Sequence, residues 1–564
     1  MDKIIPEERH ESVKEKIEEL LSHYEEGMDI FKNATSWEHP VTIKESSKDV
    51  PDLPQSWLYL VERVQSIIAQ EKYDLDYYKN EIWIIRDDQM LDAYSSVGMP
   101  VNYEHWSFGQ QRLAEEKALE KGQMGLAYEI VINTDPAIAY CMEKNSPLMQ
   151  MLVIAHASFG HNSFFKGNHM FKTHTNASTI IHDLQYMRDY IFECEEKYGY
   201  LEVERLLDSC HALESHGVDR YIKPKQKDKK KLKEREDALI EKRFTTPHID
   251  PILGERKTSL DAFDNAANDN SHKNNNTIRR EENLLKFIAD NAPHLPEWKR
   301  EIIRMVANKA QYFYPQKQTQ VMNEGWASFW HYQIIHDMDE MGLLSDKQMG
   351  EFYASHTSVL FQPDHDSPYF SGRMNPYTLG FAIFHDIKRI CMNPTEEDYK
   401  FSPDIAGNGD WLGTLKDAML NYRDESFVLQ YLSPAVIREL SLFAYTDDEN
   451  EHDYIIAGAQ DSREGFDKVR EVLASNYRLA DIEPIIEAVE YHHRTDRRLV
   501  LEHTVYNDKP LDDKNTNEIM KHLYRLWKHP VILRSVKQDG ELYDFFDCPP
   551  DTVKSDRDPG LKLG

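Results

Sequence analysis

Glu324 and His331 lie seven residues apart in Asn323-Glu324-Gly325-Trp326-Ala327-Ser328-Phe329-Trp330-His331, a stretch in which Asn323 and Ser328 are the other polar residues. On a helix, positions i, i+4 and i+7 share a face, so Glu324, Ser328 and His331 point the same way. A carboxylate and an imidazole on one face can bind a divalent metal; a buried Glu–His pair that fixes two helices is the alternative. A second pair, His156 and His161, follows an apolar run from Leu148 to Ala155 that Ser146-Pro147 caps at its start. The second of these comes five residues after the first, about 140° away on an α-helix. Gly160 is the expected helix end, from which His161 curls back. His105 lies in Tyr103-Glu104-His105-Trp106-Ser107-Phe108-Gly109, and His211 in Ser209-Cys210-His211-Ala212-Leu213. Each alone is an ordinary core or surface histidine. Together, in aromatic segments punctuated by glycine, they point to one shared site. The expected ligands of a divalent metal, zinc first, are His156, His161 and Glu324, with His105 and His211 as further candidates. Glu129 would be the carboxylate of a dinuclear version. The proton acceptor beside a metal-activated water would be Glu104, or His331 if it is not a ligand.

The elements that must hold these residues are mostly helices. The chain of 564 residues suggests two to four domains. Residues 1–85 read as a polar helical segment, with Val13, Ile17, Leu20 and Tyr24 on one face of its start and glutamates on the other. Residues 86–405 carry the histidine motifs, with helical periodicity at 185–198, 281–290, 298–312 and 326–341. A polar linker at 223–280 interrupts them; it opens on a lysine-rich run and contains an asparagine-rich stretch at 268–276. A helical connector at 406–450 leads to alternating patterns. Strands are expected at 453–459, 482–491, 498–506 and 531–536, with helices at 463–477 and 514–527. That order, β-α-β-β-α-β over 451–540, predicts a ferredoxin-like domain, with Val469, Leu473 and Tyr477 packed on its sheet, before a flexible tail at 541–564. The fold class is therefore α+β: a mostly α-helical N-terminal and central core with a C-terminal ferredoxin-like domain.

Composition narrows the function. Acidic residues outnumber basic ones by 98 to 67, a net charge of -31, which argues against nucleic acid or an anionic membrane surface as partner. The five cysteines are odd in number and form no Cys-x-x-Cys, which reads as reduced thiols in a cytoplasm. The start lacks an apolar signal region, and the most apolar run, 148–155, is too short to span a bilayer. No P-loop, nucleophile elbow or kinase motif occurs.

Residues 323–327 resemble the Asn-Glu-Gly-x-Ala signature of gluzincin aminopeptidases, which implies Glu324 as a zinc ligand. The zincin His-Glu-x-x-His motif is absent, and Ala157 stands where its glutamate would be. A longer resemblance is to the stage V sporulation protein R (SpoVR) family. It is carried by Ser95-Ser96-Val97-Gly98-Met99-Pro100, the His105 segment, Gly125-Leu126-Ala127-Tyr128-Glu129-Ile130-Val131-Ile132-Asn133, Gly160-His161-Asn162-Ser163-Phe164-Phe165-Lys166 and Gly217-Val218-Asp219-Arg220-Tyr221. The densest block runs from Tyr312-Phe313-Tyr314-Pro315-Gln316-Lys317-Gln318-Thr319-Gln320-Val321-Met322 into Asn323–Ala327, and Asn375-Pro376-Tyr377 and Asp424-Glu425-Ser426-Phe427 continue it. The resemblance implies a role in formation of the spore cortex, which is peptidoglycan, or in stress and stationary-phase physiology. It also implies a PrkA-type serine protein kinase and a von Willebrand-like companion protein as partners. It does not imply a reaction, so a metal-dependent hydrolase and a non-enzymatic scaffold both stand.

Overall fold

The computed structural model describes residues 7–95, 98–120, 129–221, 277–363, 374–442, 445–446, 455–456, 462–507 and 509–548. The lysine-rich run and the asparagine-rich stretch lie outside them. The chain forms two compact units, Met1–Asp208 with Asn308–Glu483, and Ser209–Ala307 with Pro484–Gly564. Among the described residues no helix is long and apolar enough to cross a membrane. All five cysteines are buried, and among the described residues none forms a disulfide.

The first unit is built around the Gln320–Glu340 helix. Val321, Met322, Trp326, Phe329, Trp330, Ile334 and Ile335 are buried around its whole circumference, which is the pattern of a central helix rather than an amphipathic one. Its start is fixed from outside. The Asp424 carboxylate accepts the backbone N–H groups of Val321 and Met322 at 2.9 Å each, a cap lent by the Asp424–Tyr431 helix. The Pro376–Met392 helix crosses where the backbones of Gly325 and Gly380 touch. On another side the Pro147–Ile154 helix continues into a segment where Gly160 meets Ala327; a Cβ at position 160 would lie 2.5 Å from Ala327 Cα. Three helical segments thus approach at backbone distance, which only glycine permits.

A small sheet covers this core. It consists of β1 (Asn80–Ile85), β2 (Glu129–Ile132) and β3 (Ala137–Met142), in the order β1-β3-β2. β3 runs parallel to β1 and antiparallel to β2, with Glu129 opposite Cys141. Every residue of β3 is buried, as a central strand covered on both faces requires. Such an apolar run carries no alternation, so its strand character does not show in the periodicity.

The second unit holds a five-stranded sheet. Its members are β4 (Thr277–Glu281), β7 (Ile486–Tyr491), β8 (Leu499–Thr504), β9 (Val531–Val536) and β10 (Leu542–Cys548), in the order β10-β9-β8-β7-β4. β8 and β9 are parallel and joined through the Asp513–Trp527 helix, which buries Thr516, Met520, Leu523, Leu526 and Trp527 along one stripe. The other pairs are antiparallel.

The α+β class holds, with helical N-terminal and central regions and C-terminal strands that share a sheet with a helix between them. The ferredoxin-like order does not. The Arg463–Ser475 helix packs on Asp424–Tyr431 within the first unit, burying Phe466, Arg470 and Ala474. Val469, Leu473 and Tyr477 pack only partly against that core. Ile455–Ile456 (β6) pairs with Tyr445–Thr446 (β5) and not with the C-terminal sheet. The outer strands are instead β4, at the end of the expected linker, and β10, in the expected tail. The pairing of β4 with β7 spans too much sequence to leave a local trace, whereas β10 folds back directly on β9.

Candidate metal centre

The imidazoles of His156 and His161 are brought to one side by a local change of helix type. Residues Ala155–His161 form a π-helical segment between Pro147–Ile154 and Asn162–Gly167. Hydrogen bonding i to i+5 widens each turn, so residues five apart align instead of diverging by about 140°. The two rings lie 4.6 Å apart, centroid to centroid, at 84°. Gly160 is therefore not a helix end. It lets the widened turn lie against Ala327 of the central helix, which carries Glu324 one turn earlier.

His161 Nε2 is 3.4 Å from Glu324 Oε2, and His156 Nε2 is 3.8 Å from the same oxygen. All three ligand atoms lie within 4.8 Å of one another. These gaps are too long for hydrogen bonds. They match the spacing of about 3.4 Å between ligand atoms that each sit ~2.0–2.2 Å from a shared ion. His156 Nε2 and Glu324 Oε2 are also buried with no hydrogen-bond partner, a costly state that a cation between them would relieve. Two imidazoles and a carboxylate are a set that suits zinc and other first-row divalent ions. Glu129 Oε1 approaches from β2, 3.7 Å from His156 Nε2.

The far sides of both rings are held. His161 Nδ1 bonds to Asn323 Oδ1 at 2.9 Å; an amide oxygen accepts, so Nδ1 carries the proton and Nε2 faces the site with its lone pair. His156 Nδ1 is 2.9 Å from His331 Nδ1, and His331 Nε2 is 2.8 Å from His356 Nδ1. A lone pair on His156 Nε2 requires Nδ1–H to donate to His331, and His331 Nε2–H then donates to His356. The chain fixes ring orientation and tautomer together. Tyr377, in the first turn of Pro376–Met392, stacks on His156 at 6.2 Å and hydrogen-bonds Glu324.

Electrostatics separates the two carboxylates. Burial would raise the Glu324 pKa, but the imidazoles of His161 and His156 and the Tyr377 hydroxyl outweigh it and hold the group below its ordinary value. Glu129 is raised by burial, with the Glu324 charge adding to the effect. Burial pushes His161 and His356 each down to about 4, and His331 well below its ordinary range. Burial thus favours neutral imidazoles at His161, His331 and His356, and the surroundings push the pKa values of the two carboxylates apart, Glu324 down and Glu129 up. A cavity of about 400 Å³ opens beside it, lined by Glu129, Ile130, Val131, His161 and Glu324 on one part of its wall and by Gln316, Gln320 and Asn323 on another.

The other expected residues are placed elsewhere. His105 is buried, with Nε2 3.3 Å from Asp208 Oδ1 and 3.7 Å from Glu204 Oε1, both on the Tyr200–His211 helix. Its Nδ1 bonds Ser107 Oγ at 2.7 Å. His211 ends that helix and falls in the second unit. Glu104 is exposed, and its charge acts on Glu195 and Tyr200. His331 adjoins the centre but spends both ring nitrogens on histidines. A second His/carboxylate group, His10 with Asp337 and Glu340, already has a cation: Lys72 Nζ is 2.6 Å from Asp337 Oδ1 and 2.8 Å from His10 Nδ1, and the Tyr73 hydroxyl donates to Asp337. His356 is not singled out in the sequence, and Tyr377 enters there only within the SpoVR resemblance, without a role at the site. His356 had a signal, because it continues the buried stripe of Met349 and Phe352 at helical spacing.

The match to known proteins follows the same architecture. The family described as SpoVR like protein matches residues 56–482, and the SpoVR-like C-terminal domain matches residues 484–538; the two meet where the structure passes from its first unit to its second. The uncharacterized protein YcgB of Escherichia coli (strain K12) is 47% identical over 503 residues, covering 88% of this chain and 95% of the relative. No solved structure matches. The stretches that build the centre, around Glu129, His161 and Glu324, all lie within the first match, and the chain belongs to the SpoVR family.

Proposed function

We propose that the first unit is a metal-dependent hydrolase acting on an amide or peptide bond. The observation that carries this is the convergence of His156, His161 and Glu324, with two orphaned ligand atoms, at the wall of a cavity. A divalent ion held there, zinc first, would polarise a carbonyl and acidify a bound water. The chain's own residues supply the rest. Asn323 and the His331–His356 pair hold the ligand rings. Glu324 keeps its charge. Glu129, at the cavity wall and made a stronger base by burial, is placed as a carboxylate to take a proton from water and return it to a leaving amine. Glu104 and His331 do not line the cavity, so Glu129 replaces them in this role.

The cellular setting belongs to the same proposal: a cytoplasmic protein acting in spore cortex formation or in stress and stationary-phase regulation, with a PrkA-type kinase and a von Willebrand-like protein as partners. A non-enzymatic scaffold in that complex is the second reading. It is favoured by the His156–His331–His356 chain, which forms a hydrogen-bonded network on its own. Metal content of the purified chain, and its hydrolysis of peptides and peptidoglycan stem peptides with and without a chelator, separate the two. A stoichiometric metal and chelator-sensitive cleavage are expected; a metal-free, inactive wild type leaves the scaffold.

A further inference from the structure

β2 is an edge strand. Its one partner in the sheet is β3, and among the described residues no strand pairs with its other edge. Edges of this kind offer a row of unpaired N–H and C=O groups, which proteins cover, charge or use. Here the edge borders the cavity. Glu129, Ile130 and Val131 all line it. Successive strand side chains point to opposite faces, so a cavity that touches three in a row meets the backbone edge rather than one face.

Helical residues line the cavity as well, and apart from Lys317 and Glu324 those from Gln316 to Glu324 carry side-chain amides. Gln316, Gln320 and Asn323 line the cavity about one turn apart across the break between the Glu297–Gln318 and Gln320–Glu340 helices. A glutamine side chain both donates and accepts, as a peptide group does. Val131, Phe165 and Tyr377 add apolar surface to the lining. The volume of about 400 Å³ is that of a small-ligand cavity, enough for a few residues.

We propose that this cavity takes its ligand as an extended peptide segment, added as a further strand along the free edge of β2 and faced on its other edge by Gln316 and Gln320. The peptide backbone supplies the affinity, and its alternate side chains meet the apolar wall and the metal centre. The register of the strand sets which peptide group lies beside Glu129 and Glu324. The proposal rests on the hydrolase reading for what then happens to that group, but binding along β2 needs no metal.

The test uses the full-length chain on an immobilised array of octapeptides of mixed sequence, followed by the tightest-binding octapeptide N-methylated at each position in turn. Strand addition pairs every second residue of the ligand, so methylation should weaken binding roughly tenfold at alternate positions and leave the intervening ones within about twofold. The scan is run on metal-loaded and on EDTA-treated protein. Alternation in both, with a metal-free wild type, would retain the peptide groove while removing the hydrolase. Alternation in neither overturns the groove, as does an array with no binder, or binding of a chitooligosaccharide in place of every peptide.

Discussion

At the scale of single residues the centre makes separable claims about Glu324, His331 and His356. Glu324→Gln keeps the shape and removes the charge, so metal retention should fall sharply while the melting temperature changes little. His331→Ala should do the reverse in part. It leaves His156 Nδ1 and His356 Nδ1 without their partner inside the core, a cost of about 1–3 kcal/mol, and it frees the His156 ring to rotate. His356→Phe touches no ligand. It removes only the acceptor that orients His331, and a drop in metal affinity of about 10–100-fold is the expected size of such an outer-shell change. Metal stoichiometry and thermal melts of the three variants, measured side by side, check this ordering. A Glu324→Gln chain that keeps its metal would remove Glu324 from the ligand set.

At the scale of elements the decisive device is the π-helical turn, and Gly160 is what lets it lie against the central helix. A methyl group there would press on the backbone of Ala327 rather than on a movable side chain. Gly160→Ala should therefore destabilise by about 1–3 kcal/mol, as overpacking does, and should misalign His156 with His161. Lower melting temperature and weakened metal retention are expected together; a stable Gly160→Ala chain with normal metal content would show that the turn does not set the site. This element also marks the limit of what the sequence discloses. The residue types His156, His161 and Glu324 stood out, because imidazoles and a carboxylate in apolar surroundings are costly without a purpose. Their geometry did not, because a spacing of five reads as divergent on the α-helix that the flanking apolar run implies. The central helix was legible from its density of aromatics. β3 was not, since a fully buried strand has no alternation, and the four residues of β2, three of them half-buried, are too few to show one; this hid both Glu129's wall and the edge beside it.

At the scale of the whole molecule, burial of neutral histidines couples stability to pH. His161, His356 and His216 are each pushed by burial down to about 4, and His331 lower still. The unfolded chain, with histidines near 6.5, binds more protons than the folded one below that value. Stability should be fully present above about pH 6.5 and be lost progressively as pH falls toward 4. Melting temperatures taken across that window in the metal-free chain test the sign; a flat profile would mean that these rings are solvated.

The second unit adds a prediction about connectivity. Its sheet draws β4 from residues before 307 and the other four strands from residues after 484. The alternating pattern discloses β9 residue for residue, β8 to within two residues at its end, and β7 apart from its first four expected positions, because each has one buried and one polar face or a buried run between turns. It cannot disclose that β4 pairs with β7 two hundred positions away, with Thr277 opposite Glu490. Nor can it disclose that Phe287 stacks on Trp527 at 6.0 Å. A fragment of residues 484–548 keeps four strands and the Asp513–Trp527 helix, but it loses the β4 edge and exposes Trp527. Such a fragment should show strand signal by circular dichroism yet melt without cooperativity. Supplying residues 277–307, linked or in trans, should restore a cooperative transition, because the missing edge and the Phe287 contact return together. A sharp melt of the short fragment alone would mean that the four C-terminal strands and their helix already bury enough to fold, and that β4 is an addition to a finished domain.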